Sequence, residues 1–138
     1  MLEERSAGAI LYRESPSGKL YLLLNYPSGH WDFVKGNIEE GEELKHTVLR
    51  EIREETGITD VGFIDGFEDK VEYHYQRDGN PVHKEVVFFL AKTATEHVEI
   101  SHEHQGFVWL GYDDALAKLT YKTAQNMMKK VRELGFEA

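Results

Sequence analysis

Between Gly36 and Ile58 the chain reads GNIEEGEELKHTVLREIREETGI, and few folds can accommodate this stretch. Leu44, Val48 and Ile52 recur every four residues, the apolar row of a helix that packs on one side. Gly57 closes that helix, since glycine takes the left-handed conformation common at helix ends. Glu51, Glu54 and Glu55 border the apolar row. Glu51 and Glu55 stand at i,i+4, a like-charge pair that weakens an isolated helix. All three also crowd the negative end of the helix dipole, where cations are favoured. A helix from Glu42 or Glu43 to Thr56 therefore needs a sheet for its apolar row and something positive for its acids. An oxygen-only donor set suits a hard divalent cation, Mg²⁺ or Mn²⁺.

The flanking segments supply the sheet. Ser6 to Arg13 and Leu20 to Asn25 are apolar and aromatic, and ESPSGK joins them as a β-hairpin turn. Tyr26-Pro27-Ser28-Gly29 breaks the chain. His30 to Lys35 then leads as a short extended piece into Gly36, which permits a sharp turn. Val61 to Tyr75 reads as a strand interrupted at Gly66, and Arg77-Asp78-Gly79-Asn80 as a hairpin turn before the strand Val82 to Lys92. Phe107 to Tyr112 is a further strand. Asp113 or Asp114 caps a short helix to Leu119, and Tyr121 to Leu134 forms the last helix. The predicted order, β-β-α-β-β-β-α, gives an α/β domain of the α+β kind with a mixed sheet sandwiched between helices.

At 138 residues the chain suits one domain, residues 1–138, with a core that needs no disulfide. It has no cysteine, which excludes thiolate zinc sites and cysteine nucleophiles and agrees with a cytoplasmic location. The N-terminal MLEERSAGAILYRE has too short an apolar run for a signal peptide or membrane span. Sixteen Lys and Arg against 25 Asp and Glu give a formal net charge of −9, which disfavours nonspecific binding to nucleic acid or anionic lipid. A monomer is expected for a domain of this size.

Written as a pattern, the central stretch is Gly36, five residues, Glu42, seven residues, Arg50-Glu51-Ile52, one residue, Glu54-Glu55, one residue, Gly57-Ile58. This resembles a complete Nudix box spanning residues 36–58. The resemblance implies a Nudix fold and metal-dependent hydrolysis of a pyrophosphate bond in a nucleoside diphosphate linked to another group. It makes Glu51, Glu54 and Glu55 the metal ligands, with a backbone carbonyl at Lys35 or Gly36 completing the shell. Arg50 then orients a glutamate, and Glu42 supports the loop and helix start. The residue chemistry agrees, because hydrolysing a pyrophosphate requires neutralised charge, an activated water and a stabilised leaving phosphate.

Outside the box, Ser101-His102-Glu103-His104-Gln105, Trp109-Leu110, His30-Trp31 and Lys35-Gly36 resemble the asymmetric diadenosine tetraphosphate hydrolases of the animal and archaeal type. That resemblance implies cleavage of a small nucleoside polyphosphate to ATP and AMP. It places His30, Lys35, Tyr73 and Lys84 on the polyphosphate, and Tyr121 as an aromatic stacked on adenine. Glu103 becomes a further metal ligand or the general base. His102 and His104 flank it and are read as hydrogen-bonding groups rather than zinc ligands. Val34 and Glu40 stand where many relatives have proline, so a φ restraint is absent from each segment. The same box also serves pyrophosphohydrolases of RNA 5′ ends and of noncanonical nucleoside triphosphates. A noncatalytic nucleotide sensor is the reading from another class, and the intact glutamates argue against it.

Overall fold

The structure, a computed structural model, describes residues 1–137. The chain runs through β1 (Leu2–Ser15), β2 (Gly18–Asn25), β3 (Trp31–Asp32), β4 (Val34–Asn37), α1 (Leu44–Thr56), β5 (Gly62–Arg77) and β6 (Asn80–Lys92). It ends with β7 (Gly106–Leu110), α2 (Tyr112–Lys118) and α3 (Lys122–Glu133). The strands form one sheet in the order β3-β2-β1-β6-β5, with β4 also pairing β1 and β7 also pairing β2. β1 and β6 run parallel and the other pairs antiparallel, so the sheet is mixed, as the sequence predicts.

Strand alternation explains the three-layer build. On β1, Ala7, Ala9 and Leu11 face one side while Ile10 and Tyr12 face the other; on β6, Val87, Phe89 and Ala91 oppose Val86, Phe88 and Leu90. The first set packs with Val48 and Ile52 of α1, both fully buried. The second packs with Tyr112 and Ala115 of α2 and with Ala124, Met127, Met128 and Val131 of α3. The predicted sandwich of helix, sheet and helices is present. Gly57 ends α1 at φ 78°, its N–H donating to the Arg53 carbonyl at 2.9 Å.

Several element boundaries differ from the sequence reading. The extended piece from His30 to Lys35 becomes two strands, β3 on β2 and β4 on β1, so four strands rather than two precede α1. Two helices follow β7, the short one and the last one that the sequence predicts. Tyr112 belongs to α2 rather than to the preceding strand, and Gly111 is the N-cap, with Asp113 and Asp114 in the first turn. Gly66 falls within the predicted interruption, where the β5–β6 register shifts between Phe63 and Glu68. Val34, which lacks the proline restraint, is instead fixed by its pairing with Ala9 and is 1% exposed.

The segment after β6 is sewn to the helix end. The Glu99 and Ser101 N–H groups donate to the carbonyls of Thr56 and Glu55 at 3.0 and 3.2 Å, and the Gln105 N–H donates to the Asn25 carbonyl at 2.8 Å. Residues 99–105 thereby lie beside the acidic face of α1.

Candidate active site

Arg50 occupies the centre of the acidic face. Its Nε donates to Glu42 Oε2 at 2.7 Å, and one terminal nitrogen reaches Glu51 Oε1 at 2.8 Å and Glu54 Oε1 at 2.9 Å. The other terminal nitrogen donates to Glu42 Oε1 at 3.0 Å and to the Asn37 carbonyl at 2.9 Å. The positive partner that the helix end requires thus comes from within the helix itself. The Arg50 side chain is 13% exposed, and its proton is held more tightly than usual, chiefly by the hydrogen bond to Glu42.

Glu42 also accepts from the Glu39 N–H and from Thr47 Oγ1, both at 2.9 Å, which fastens the loop to the start of α1. These bonds, the one from Arg50 foremost, lower its carboxyl from an ordinary 4.5 to about 2. A carboxyl whose folded pKa is depressed stabilises fully above its unfolded pKa and loses that contribution as pH falls through the folded one. Glu42→Gln is accordingly expected to flatten the decline in thermal midpoint between about pH 4.5 and pH 2 relative to the parent chain. Parallel melting curves across that range check the prediction, and equal slopes would contradict it.

Glu51 lies against Gly36, where β4 passes the helix. A Cβ at position 36 would fall inside the Glu51 carboxylate. Burial pushes the Glu51 carboxyl up from its ordinary value, opposed by the Arg50 hydrogen bond and charge and reinforced by Glu54 and Glu55. Glu55 is 5% exposed, and its Oε2 takes a hydrogen bond from Ser101 Oγ at 2.6 Å and a contact from His104 Nδ1 at 2.5 Å.

Gly36, Glu51, Glu55 and Glu103 line one cavity of about 600 Å³, with Lys35 and Lys84 on its wall. Glu54 does not line it; this side chain is exposed and its carboxylate is taken by Arg50. Among the described residues, no three His, Asp or Glu side chains already converge as an ion cage; Arg50 holds Glu51 and Glu54, and Ser101 and His104 hold Glu55. The donor set is nevertheless all oxygen, and Gly36 leaves the Glu51 carboxylate room against the backbone, which fits a hard divalent cation.

A second cavity of about 590 Å³ adjoins the first and shares Lys35 with it. His30, Tyr73 and Tyr121 line it, with Phe88 and Asp32. Tyr121 is the N-cap of α3 and 47% exposed. Neighbouring Thr120 fastens it to β3, its Oγ1 accepting from the Trp31 N–H at 2.9 Å and its N–H donating to the Trp31 carbonyl at 3.2 Å. The Tyr121 ring meets His30 at 5.0 Å, and His30 stacks on Tyr26 at 4.7 Å and 7°. Burial lowers the His30 pKa and raises that of Tyr73.

Lys35 pairs with Asp32 at 3.0 Å. Burial alone would lower the lysine, but the Asp32 charge and hydrogen bond raise it overall. Lys84 is lowered, by burial first and then by the charge of Lys35. Five predicted substrate residues therefore divide: Lys84 in the acidic cavity, His30, Tyr73 and Tyr121 in the aromatic one, and Lys35 in both.

Sequence reasoning missed Asp32, which holds Lys35, and Tyr26, which supports His30. Their only signals were the i,i+3 spacing of Asp32 and Lys35 and the aromatic at a turn. His102 is exposed while His104 is tied to Glu55, so the two histidines do not share a site.

The NUDIX domain matches residues 2–131, and the chain belongs to the Nudix family; it is a Nudix hydrolase of mixed-sheet α+β architecture. A Mus musculus protein named asymmetrical bis(5'-nucleosyl)-tetraphosphatase is 36% identical over 130 residues, covering 86% of each chain. A Caenorhabditis elegans protein of the same name is 32% identical over 130 residues, covering 91% of this chain and 92% of its own. The crystal structure of a C. elegans Ap4A hydrolase binary complex is similar at a TM-score of 0.82 and 29% identity, over 95% of this chain and 96% of that one.

Proposed function

We propose that this protein cleaves diadenosine tetraphosphate asymmetrically, water attacking a phosphorus to give ATP and AMP. The observation that carries this reading is the pair of adjoining cavities, one acidic and one aromatic, with Lys35 belonging to both. A ligand with a polyphosphate chain and a purine ring has one end for each. The names of the mouse and nematode relatives agree.

In this reading Tyr121 stacks on adenine, with His30 and Tyr73 beside it, and Lys35 and Lys84 bind phosphate oxygens. Glu51, Glu54, Glu55 and Glu103, with the Gly36 carbonyl, would hold Mg²⁺ or Mn²⁺, whose chemistry there is to neutralise phosphate charge and acidify water. Arg50 holds Glu51 and Glu54 in place. Glu103, exposed at the mouth of the acidic cavity, accepts the proton of the attacking water. The oxygen joins phosphorus, the bridging P–O bond breaks, and the leaving phosphate departs as AMP or ATP. A cytoplasmic monomer acting on a small molecule completes the reading; among the described residues no helix is long and apolar enough to cross a membrane.

Two measurements test it. Incubated with diadenosine tetraphosphate, nucleoside triphosphates and 5′-triphosphorylated RNA, the protein is expected to release equimolar ATP and AMP from the first faster than it attacks the others. Fast triphosphate or RNA hydrolysis with a resistant tetraphosphate would favour the runner-up. Glu55→Gln is expected to lower kcat by orders of magnitude with the circular dichroism spectrum unchanged, and near-normal turnover would refute the metal assignment. A noncatalytic sensor would show no Mg²⁺-dependent release at all.

A further inference from the structure

We propose that His104, together with Ser101, is a positioning residue that fixes one oxygen of Glu55 and sets its spacing to Glu103. The inference rests on the reading of Glu55 as a metal ligand. Both clamp contacts fall on the same atom, Oε2, and no described residue donates to Oε1. One carboxylate oxygen is thereby immobilised and the other left for the cavity that Glu55 lines.

Besides Glu55, the ring's one polar neighbour among the described residues is Ser101 Oγ, 3.4 Å from Nδ1. An ionised carboxylate only accepts, so the Nδ1 facing it at 2.5 Å carries the hydrogen. Nε2 is buried with no partner among the described residues, so Nδ1 is the nitrogen through which the ring acts. The imidazole side chain is 5% exposed and the Glu55 side chain 7%. The edge of Tyr26 holds it at 4.5 Å and 76°, and Tyr26 is itself anchored by its hydroxyl to the Phe33 carbonyl at 2.6 Å.

The same clamp reaches Glu103. Ser101 Oγ, while donating to Glu55, accepts from the Glu103 N–H at 3.2 Å, and the His104 N–H donates to the Ser101 carbonyl at 3.1 Å. The turn that presents Glu103 and the hydroxyl that orients Glu55 are thus one unit. Arg50 does the corresponding work for Glu51. Partners that orient ligands in this way typically govern metal affinity by about 10–100-fold.

The test compares His104→Leu, His104→Asn and Ser101→Ala with Glu55→Gln as control, reading Mn²⁺ affinity without substrate by titration calorimetry, then kcat and KM. An asparagine amide places a donor close to the Nδ1 position; leucine does not. His104→Leu and Ser101→Ala are expected to weaken Mn²⁺ binding by about 10–100-fold and to lower kcat while KM moves little, with His104→Asn recovering most of both. Parent-like Mn²⁺ affinity in His104→Leu overturns the proposal, as does an asparagine variant no better than leucine at equal thermal midpoint. Should His104→Leu fail to fold, Ser101→Ala decides: parent-like affinity there overturns the clamp, and weakened affinity supports it. If Glu55→Gln leaves Mn²⁺ affinity intact, the metal reading of Glu55 falls, and the clamp's role in metal binding with it. Intact affinity in the clamp variants alone removes only the clamp.

Discussion

Arg50→Lys is expected to cost on the order of 2 kcal/mol of folding stability and to lower kcat by at least about 100-fold. Lysine keeps the charge but not the shape. The guanidinium uses its planar fork to reach both oxygens of Glu42, one oxygen each of Glu51 and Glu54, and the Asn37 carbonyl. An ammonium offers three donors around one point and cannot span that set. Glu42 and Glu51 have side chains only 9% and 13% exposed, so carboxylate oxygens that the ammonium cannot reach are left enclosed without a donor. Glu54, at 47%, is hydrated and contributes less. Urea unfolding and steady-state kinetics check the two halves separately. Retained turnover in the lysine variant would mean that the network matters for charge alone, not for geometry.

The contrast between what was and was not legible follows the range of the interactions. The Leu44, Val48 and Ile52 row and Gly57 placed α1 to within two residues, because helix periodicity and capping are local. Alternation did the same for β6, while β1 starts four residues before the predicted Ser6 because Leu2 to Arg5 pair with Val82 to Glu85 of β6. The split of residues 30–35 into β3 and β4 was not visible, since it is decided by partners at Leu24 and Ala9, on strands formed earlier in the chain. Tyr112 continues the aromatic run of β7 and reads as strand. It is instead drawn into α2, where its ring meets Tyr21 edge-on at 6.2 Å and its hydroxyl donates to the Met128 carbonyl at 3.1 Å.

At the site, box spacing identified the acids and Arg50 but not their pairing. That Arg50 takes Glu42, Glu51 and Glu54 at once depends on how the loop of residues 38–43 folds back over the helix. The contact of His104 with Glu55 joins distant segments, so no local spacing announces it. The same holds for the meeting of Lys35 and Lys84, brought together only because β4 and β6 flank β1. Two like charges at one wall repel, which contributes to the lowered pKa of Lys84. An anionic ligand between them would relieve that repulsion, so a highly negative chain can still bind a polyphosphate locally.

Gly36→Ala should be the most damaging change that alters no charge, with kcat falling by about 100-fold or more while the fold persists. A Cβ at position 36 would sit closer to the Glu51 carboxyl atoms than the 3.0 Å that real Cβ contacts respect. The backbone cannot retreat, because Gly36 is held in the β4–β1 ladder opposite Ala7, itself fully buried. The carboxylate must therefore swing away, and in doing so it gives up the 2.8 Å bond from Arg50. Displacement of a catalytic group by about 1 Å is enough for a loss of that size. Gly106→Ala is the control, since a Cβ there meets nothing within 4 Å. Kinetics and thermal melts on both variants decide the matter: near-normal turnover in Gly36→Ala would show that Glu51 works from more than one position, and an equal loss in Gly106→Ala would make the effect one of backbone freedom rather than of crowding.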